Sequence, residues 1–219
     1  MTRTASAILA FAALAGGLFA DEAHARNRHS QDIGPSSPIA ESAPTLAPFQ
    51  HVRFCLRYPS ECKSDPMENE RIDMNAENSE LLDRINRGVN ASIIPMAKSY
   101  GTELQDGWTI SPSMGDCNDF AVTKRHELLQ SGLPARALRL SVVTTASGVG
   151  HLVLVVATTK GDLVLDNLTE TIRTWQQTDY HWLKIQSTSD ARFWYEIRTP
   201  GVAVSQADRK IRLAYRRIN

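Results

Sequence analysis

The sequence predicts an α+β fold, with helices and an antiparallel sheet drawn from separate stretches of the chain. Three observations carry this reading. Apolar residues recur at helical spacing within residues 77–99. A cysteine, Cys117, stands at the start of a second helical stretch. Beyond that stretch come short apolar runs separated by glycine and by aspartate or asparagine, the punctuation of strands and turns.

In the first helix Leu81, Leu82, Ile85, Val89 and Ile93 fall on one face, and Pro95 ends or kinks it. Gly101, Gly107 and Pro112 mark a loop that carries Trp108 and ends at Ser113-Met114-Gly115. The second helix spans about 116–130, with Gly132 and Pro134 as its stop signal. Residues 137–145 read as a strand with Leu138, Leu140 and Val142 on one face. Residues 151–158 are apolar on both faces, as a central buried strand requires. Residues 162–166 form its short neighbour across a turn at Lys160-Gly161, and Phe193, Tyr195 and Ile197 alternate in a further strand.

Four segments follow from composition. Residues 1–25 read as a secretory signal: Arg3, a short apolar and small-residue run over 7–20, and Ala23-His24-Ala25 as the cleavage site. The run is shorter than the roughly 20 apolar residues a spanning helix needs, and no later segment approaches that length. Residues 26–48, rich in Ser, Pro and Ala, read as a flexible leader, 49–200 as the folded domain and 201–219 as a basic segment. That last run, with Arg209, Lys210, Arg212, Arg216 and Arg217, is either a solvated tail or a contact for anionic lipid or polysaccharide. The expected product is an exported, periplasmic protein without a transmembrane segment once the signal is removed. Lys and Arg number 24 against 24 Asp and Glu, so no charge bias points to nucleic acid.

An exported chain meets an oxidising compartment. Cys55 and Cys62 flank Pro59-Ser60 at a spacing that closes a small disulfide loop, the alternative being two separate reduced thiols. With the pair formed, Cys117 is the odd thiol.

Cys117, His151 and Asp166 follow in the order nucleophile, base, orienter that cysteine-dependent acyl transfer uses. A helix N-terminus favours thiolate over thiol, and its amides can face the oxyanion of a tetrahedral intermediate. Asp116 and Asp119 oppose that thiolate unless they are turned away or neutralised by a cation. Each residue also has a plain structural reading: a buried cysteine, a histidine capping a strand, an aspartate making a turn. Strand register decides between them. A two-residue turn at Lys160-Gly161 sets Asp166 opposite Val155, too far from His151 to bond, so the catalytic reading calls for a wider turn or a bulge.

Asn86-Arg87-Gly88-Val89-Asn90, Ile94-Pro95, Tyr100-Gly101, Trp108, Gly115-Asp116-Cys117-x-Asp119-Phe120, Lys124-Arg125, Gly132-Leu133-Pro134, Gly150-His151-Leu152 and Leu165-Asp166-Asn167 together resemble the bacterial transglutaminase-like cysteine proteinases. The resemblance runs from about Phe49 to Ile197. It implies a papain/transglutaminase-like fold and a Cys-His-Asp triad at Cys117, His151 and Asp166. It also implies calcium near the nucleophile, through Asp116 and Asp119, in the branch that trims surface adhesins. Asn118 departs from the acidic residue the family commonly carries there, which weakens an oxygen-rich calcium site. Trp108 lines the substrate cleft, donates its indole N–H near the oxyanion, or packs in the core or a lid.

The expected function is peptide-bond hydrolysis through a thioester on a protein or peptide substrate, with no cofactor needed for the chemistry. Amine transfer or amide hydrolysis by the same triad, and a non-catalytic periplasmic binding module, are the alternatives.

Overall fold

The computed structural model describes residues 36–99 and 107–198. The signal, residues 26–35 of the leader and the basic segment 201–219 lie outside the described residues. Among the described residues there are three α-helices, α1 Phe49–Arg57, α2 Ala76–Ser92 and α3 Cys117–Gln130. The strands are β1 Glu41–Thr45, β2 Ile94–Pro95, β3 Met114–Gly115, β4 Leu138–Thr144 and β5 Gly150–Thr158. They continue with β6 Gly161–Leu165, β7 Arg173–Thr174, β8 His181–Gln186 and β9 Trp194–Ile197. Seven of them form one sheet in the order β1-β9-β8-β4-β5-β6-β7, paired antiparallel throughout, while β2 and β3 form a separate parallel pair. The fold is the α+β, papain/transglutaminase-like arrangement that the sequence predicts.

Strand β5 is central, and its pattern shows why. Leu152 and Leu154, with Leu163 and Leu165 across the hairpin, join Phe120, Val122 and Leu128 of α3 in one apolar cluster, which also takes in Leu82, Ile85 and Val89 of α2. Val153 and Val155 point the other way, into a second cluster with Trp175, Trp182 and Ile185. Both faces are dry, so apolar residues occur at every position from Leu152 to Ala157 and the alternation of a half-exposed strand is lost. Burying each such side chain contributes about 1.5–3 kcal/mol relative to exposure.

Two expectations need correction. The leader does not stay flexible as far as residue 48. Glu41–Thr45 pairs with β9, and backbone pairing rather than apolar periodicity recruits it. The turn between β5 and β6 also lies one residue earlier than predicted. Thr158 pairs with Gly161 across Thr159-Lys160, so no wider turn or bulge is needed. The Thr158 hydroxyl donates to Gly161 O at 2.7 Å and accepts from Lys160 N at 3.1 Å, which fixes the turn there. Gly161 has φ +112, and a Cβ on it would lie 2.6 Å from the Cβ of Ser36, so glycine is required on two counts.

Cys55 and Cys62 form the expected disulfide, and Cys117 is free. The bridge joins α1 to a short 3-10 turn, Pro59–Cys62. Buried Arg125 of α3 then ties that turn down: Nη1 donates to Glu61 O at 2.5 Å and pairs with its carboxylate at 3.4 Å, and Nε donates to Leu138 O at 3.0 Å. The disulfide loop thus anchors the helix that begins at Cys117. Cys62→Ser is expected to lower unfolding free energy by about 2–4 kcal/mol, the usual range for a short closed loop, while leaving Cys117 reactive. Urea denaturation checks it, and an unchanged midpoint would rule the anchor out.

Candidate active site

Helix α3 begins where its sequence says it should. Asp116 is the N-cap and accepts from Asn118 N at 3.0 Å; Asp119, three residues on, accepts from Asp116 N at 2.9 Å, completing a capping box. Cys117 is therefore the first helical residue, half-buried at the positive end of the helix. Gly115 is dictated by the cap. A Cβ there would stand 2.3 Å from an Asp119 carboxylate oxygen.

His151 opens β5 and Asp166 follows β6. The observed register, continued by one residue, sets Asp166 opposite Val153, on the same side of the sheet as His151 and two positions from it. That diagonal is within reach of long side chains. His151 Nε2 and Asp166 Oδ1 lie 2.8 Å apart with both side chains buried. Asp166 holds Nε2, so Nδ1 is the ring nitrogen left to face Cys117, whose sulfur interacts electrostatically with the imidazole. Burial would depress the imidazole's proton affinity, but Asp166 and the Cys117 sulfur outweigh it and push the pKa from 6.5 up to about 9. Asp166, although burial opposes ionisation, is held below the ordinary carboxylate range by His151, Tyr180 and the Leu168 amide.

Tyr180 carried no signal in the sequence, because it sits in a loop without periodicity. Its hydroxyl donates to Asp166 Oδ2, and its ring meets the His151 ring edge-on at 5.6 Å. Burial and the Asp166 carboxylate both raise its own proton affinity, which keeps it a donor. The backbone of Asp166 is held as well. Asn90 Nδ2 donates to Asp166 O at 2.9 Å, and Asn86, one turn earlier on α2, donates to Glu170 O at 3.0 Å. Asn86 Oδ1 in turn accepts from Lys124 Nζ at 2.7 Å. Burial lowers the Lys124 ammonium to about 7, with Asp166 pulling the other way. These positions belong to motifs noted in the sequence, where nothing showed what they do.

Trp108 does not line an open cleft. It is 3% exposed and packs its ring 5.8 Å from His51 and 6.1 Å from Phe54, in the core beside α1. Asp116 and Asp119 do not suit calcium either. Calcium takes six to eight oxygens, whereas here the Asp119 carboxylate faces Lys98 Nζ at 2.7 Å, Thr109 N at 2.8 Å and Asp116 N. Asp116 Oδ1 faces both nitrogens of Asn118. N–H donors and an ammonium occupy both Asp119 oxygens and Oδ1 of Asp116. Among the described residues, one group brings three possible metal-binding side chains together, His51, Cys55 and Cys62, and both of its sulfurs are in the disulfide.

The profile of the bacterial transglutaminase-like cysteine proteinase BTLCP matches residues 41–201. None of the curated proteins matches the chain. Among solved structures the chain is similar to Legionella pneumophila LapG, at 19% identity and a TM-score of 0.43 over 80% of this chain and 90% of that one. Calcium-bound LapG, at 18% identity, a TM-score of 0.41 and coverage of 77% and 93%, is a second match. EGTA-treated LapG, also at 18% and 0.41, covers 80% and 92%.

Two outcomes follow from the geometry. Because the folded pKa of His151 is raised, its imidazolium form stabilises the fold fully below pH 6.5, and that contribution is lost as pH rises through about 9. An NMR titration should show the ring protonated to about pH 9; a midpoint at its ordinary value of 6.5 would refute the pairing. Tyr180→Phe removes a donor to a charged acceptor and should cost about 1.5–3 kcal/mol in urea unfolding at neutral pH. A cost within error of zero would remove Tyr180 from the site.

Proposed function

Because the chain belongs to the bacterial transglutaminase-like cysteine proteinases, we propose that it is an exported, periplasmic peptidase working through a Cys117-His151-Asp166 triad. The observation that carries this reading is the buried His151–Asp166 pair beside a cysteine that starts a helix. At neutral pH His151 already carries the proton, so Cys117 attacks an amide carbonyl as the thiolate of an imidazolium pair, and the carbonyl π electrons move onto oxygen. The N-terminus of α3 faces that oxyanion with its amide of Cys117. Collapse of the intermediate breaks the C–N bond, and the imidazolium passes its proton to the departing amine. Water, deprotonated by His151, then attacks the thioester, and Cys117 leaves as thiolate with the imidazolium beside it. Asp166 keeps the ring in the tautomer and orientation that both steps need.

The substrate class is protein or peptide. The chemistry requires no metal. Export rests on the signal-like residues 1–25 and agrees with the Cys55–Cys62 disulfide, which persists in an oxidising compartment.

Cys117→Ala should abolish hydrolysis of a peptide library with the fold unchanged by circular dichroism. A labelled primary amine supplied with the same peptides separates water from amine as acceptor. Incorporation in place of hydrolysis would replace the peptidase reading with transglutamination, and activity that survives Cys117→Ala would end both.

A further inference from the structure

Asp119 poses a problem for any nucleophile at position 117. It is fully buried, it lies two residues from the sulfur, and its carboxylate is needed for the helix cap. An uncompensated anion buried in the first turn would work against the positive end of the helix, where residue 117 stands. The chain supplies its own remedy. The parallel pair of β2 and β3, with Ile94 opposite Met114 and Pro95 opposite Gly115, lays the segment after α2 along the entry to α3. Met96 N donates to Gly115 O at 2.8 Å and continues that alignment. Lys98, two residues further, reaches the Asp119 carboxylate with Nζ at 2.7 Å and touches Gly107 O at 3.4 Å, its side chain only 16% exposed. Thr109 N, on the other side of the loop, donates to the same carboxylate.

We propose that Lys98 is the resident cation of the nucleophile's helix N-terminus: its ammonium neutralises Asp119, and the site operates without a divalent ion. The inference rests on the peptidase reading above, since it assigns a task at Cys117. Lys98 is a positioning residue. It touches neither substrate nor reacting atoms and acts on the charge that surrounds them. The donor set argues the same way, because the ammonium and two backbone N–H groups cover the Asp119 oxygens, and Asn118 presents an amide where a further carboxylate would add charge.

The test is the rate of Cys117 alkylation by iodoacetamide at neutral pH, with melting temperature measured alongside. The other two cysteines are in the disulfide, so the reaction reads one thiol. In the unaltered protein, excess EGTA and millimolar calcium chloride should leave both rate and melting temperature unchanged. Lys98→Met should slow alkylation by about tenfold, the equivalent of one unit in thiolate equilibrium, and Lys98→Arg should retain most of the rate. Lys98→Met combined with Asp119→Asn removes both charges and should recover most of the loss. That double variant also decides the matter if Lys98→Met alone does not fold. A full rate in folded Lys98→Met, no recovery in the double variant, or a calcium-dependent rise in rate or melting temperature of the unaltered protein would each overturn the proposal. His151→Gln separates the two levels: alkylation indifferent to His151 sinks the peptidase reading, while the calcium arm still reports on Lys98.

Discussion

The turn at Thr159-Lys160 is the constraint on which the rest of the site depends. Side chains alternate along a strand, so a shift of one residue in the β5–β6 pairing would carry Asp166 to the opposite face of the sheet from His151. The observed pairing is held at its closed end by Thr158 and Gly161 and at its open end by Asn90, Tyr180 and Leu168, all of which grip Asp166. The hairpin therefore has its register fixed twice, once by turn chemistry and once by the hydrogen bonds of the residue it delivers. His151 and Asp166 are parts of one local unit. Cys117 alone has to be brought to them across the fold.

That second task falls to α3, an unusual core helix in that Asp119, Lys124 and Arg125 are all fully or almost fully buried. Each has a partner from a different segment: Lys98 for Asp119, Asn86 for Lys124, Glu61 for Arg125. Apolar packing alone would allow a helix to slide or rotate by fractions of a turn with little loss. Buried charges do not, because each displaced pair leaves an uncompensated ion or donor in a dry interior. Here the three pairs define where the first residue of α3 stands relative to the β5–β6 hairpin.

Much of this was legible in the sequence, and the parts that were not share physical causes. The helices α2 and α3 and the strands β4, β5, β6 and β9 follow from apolar spacing and glycine punctuation, and Cys117, His151 and Asp166 from a motif around each. Helix α1 escaped because its buried positions include His51 and Arg53, polar residues that spoil the apolar stripe. Strand β8 escaped because a register break opposite Val142 and Val143 puts Trp182, Ile185 and Gln186 all inside, which no period of two describes. Strand β1 contains almost no apolar residue and is held by its backbone. Lys98 and Tyr180 act through partners far away in sequence, Asp119 and Asp166. A lysine shortly after strand β2 and a tyrosine in a loop carry no local mark of such work. The β5–β6 turn was misplaced by one residue because Gly161 was read as part of the turn, when its left-handed backbone serves the first strand position after it.

The two ends of the sheet bear on how a peptide can be held. One edge is β7, only two residues long; the other is β1, which contains Pro44 and breaks register between Glu41 and Pro44. Short strands, prolines and irregular pairing are the devices by which edges resist adding a further strand. An extended polypeptide docking as an eighth strand would meet a two-residue ladder on one side and a missing N–H on the other. Strand addition, a common way for proteases and peptide-binding domains to grip main chain irrespective of sequence, is thus poorly served by this sheet. A polypeptide held by this protein therefore has to be gripped by something other than the edges of the seven-stranded sheet, where main-chain pairing is short or interrupted.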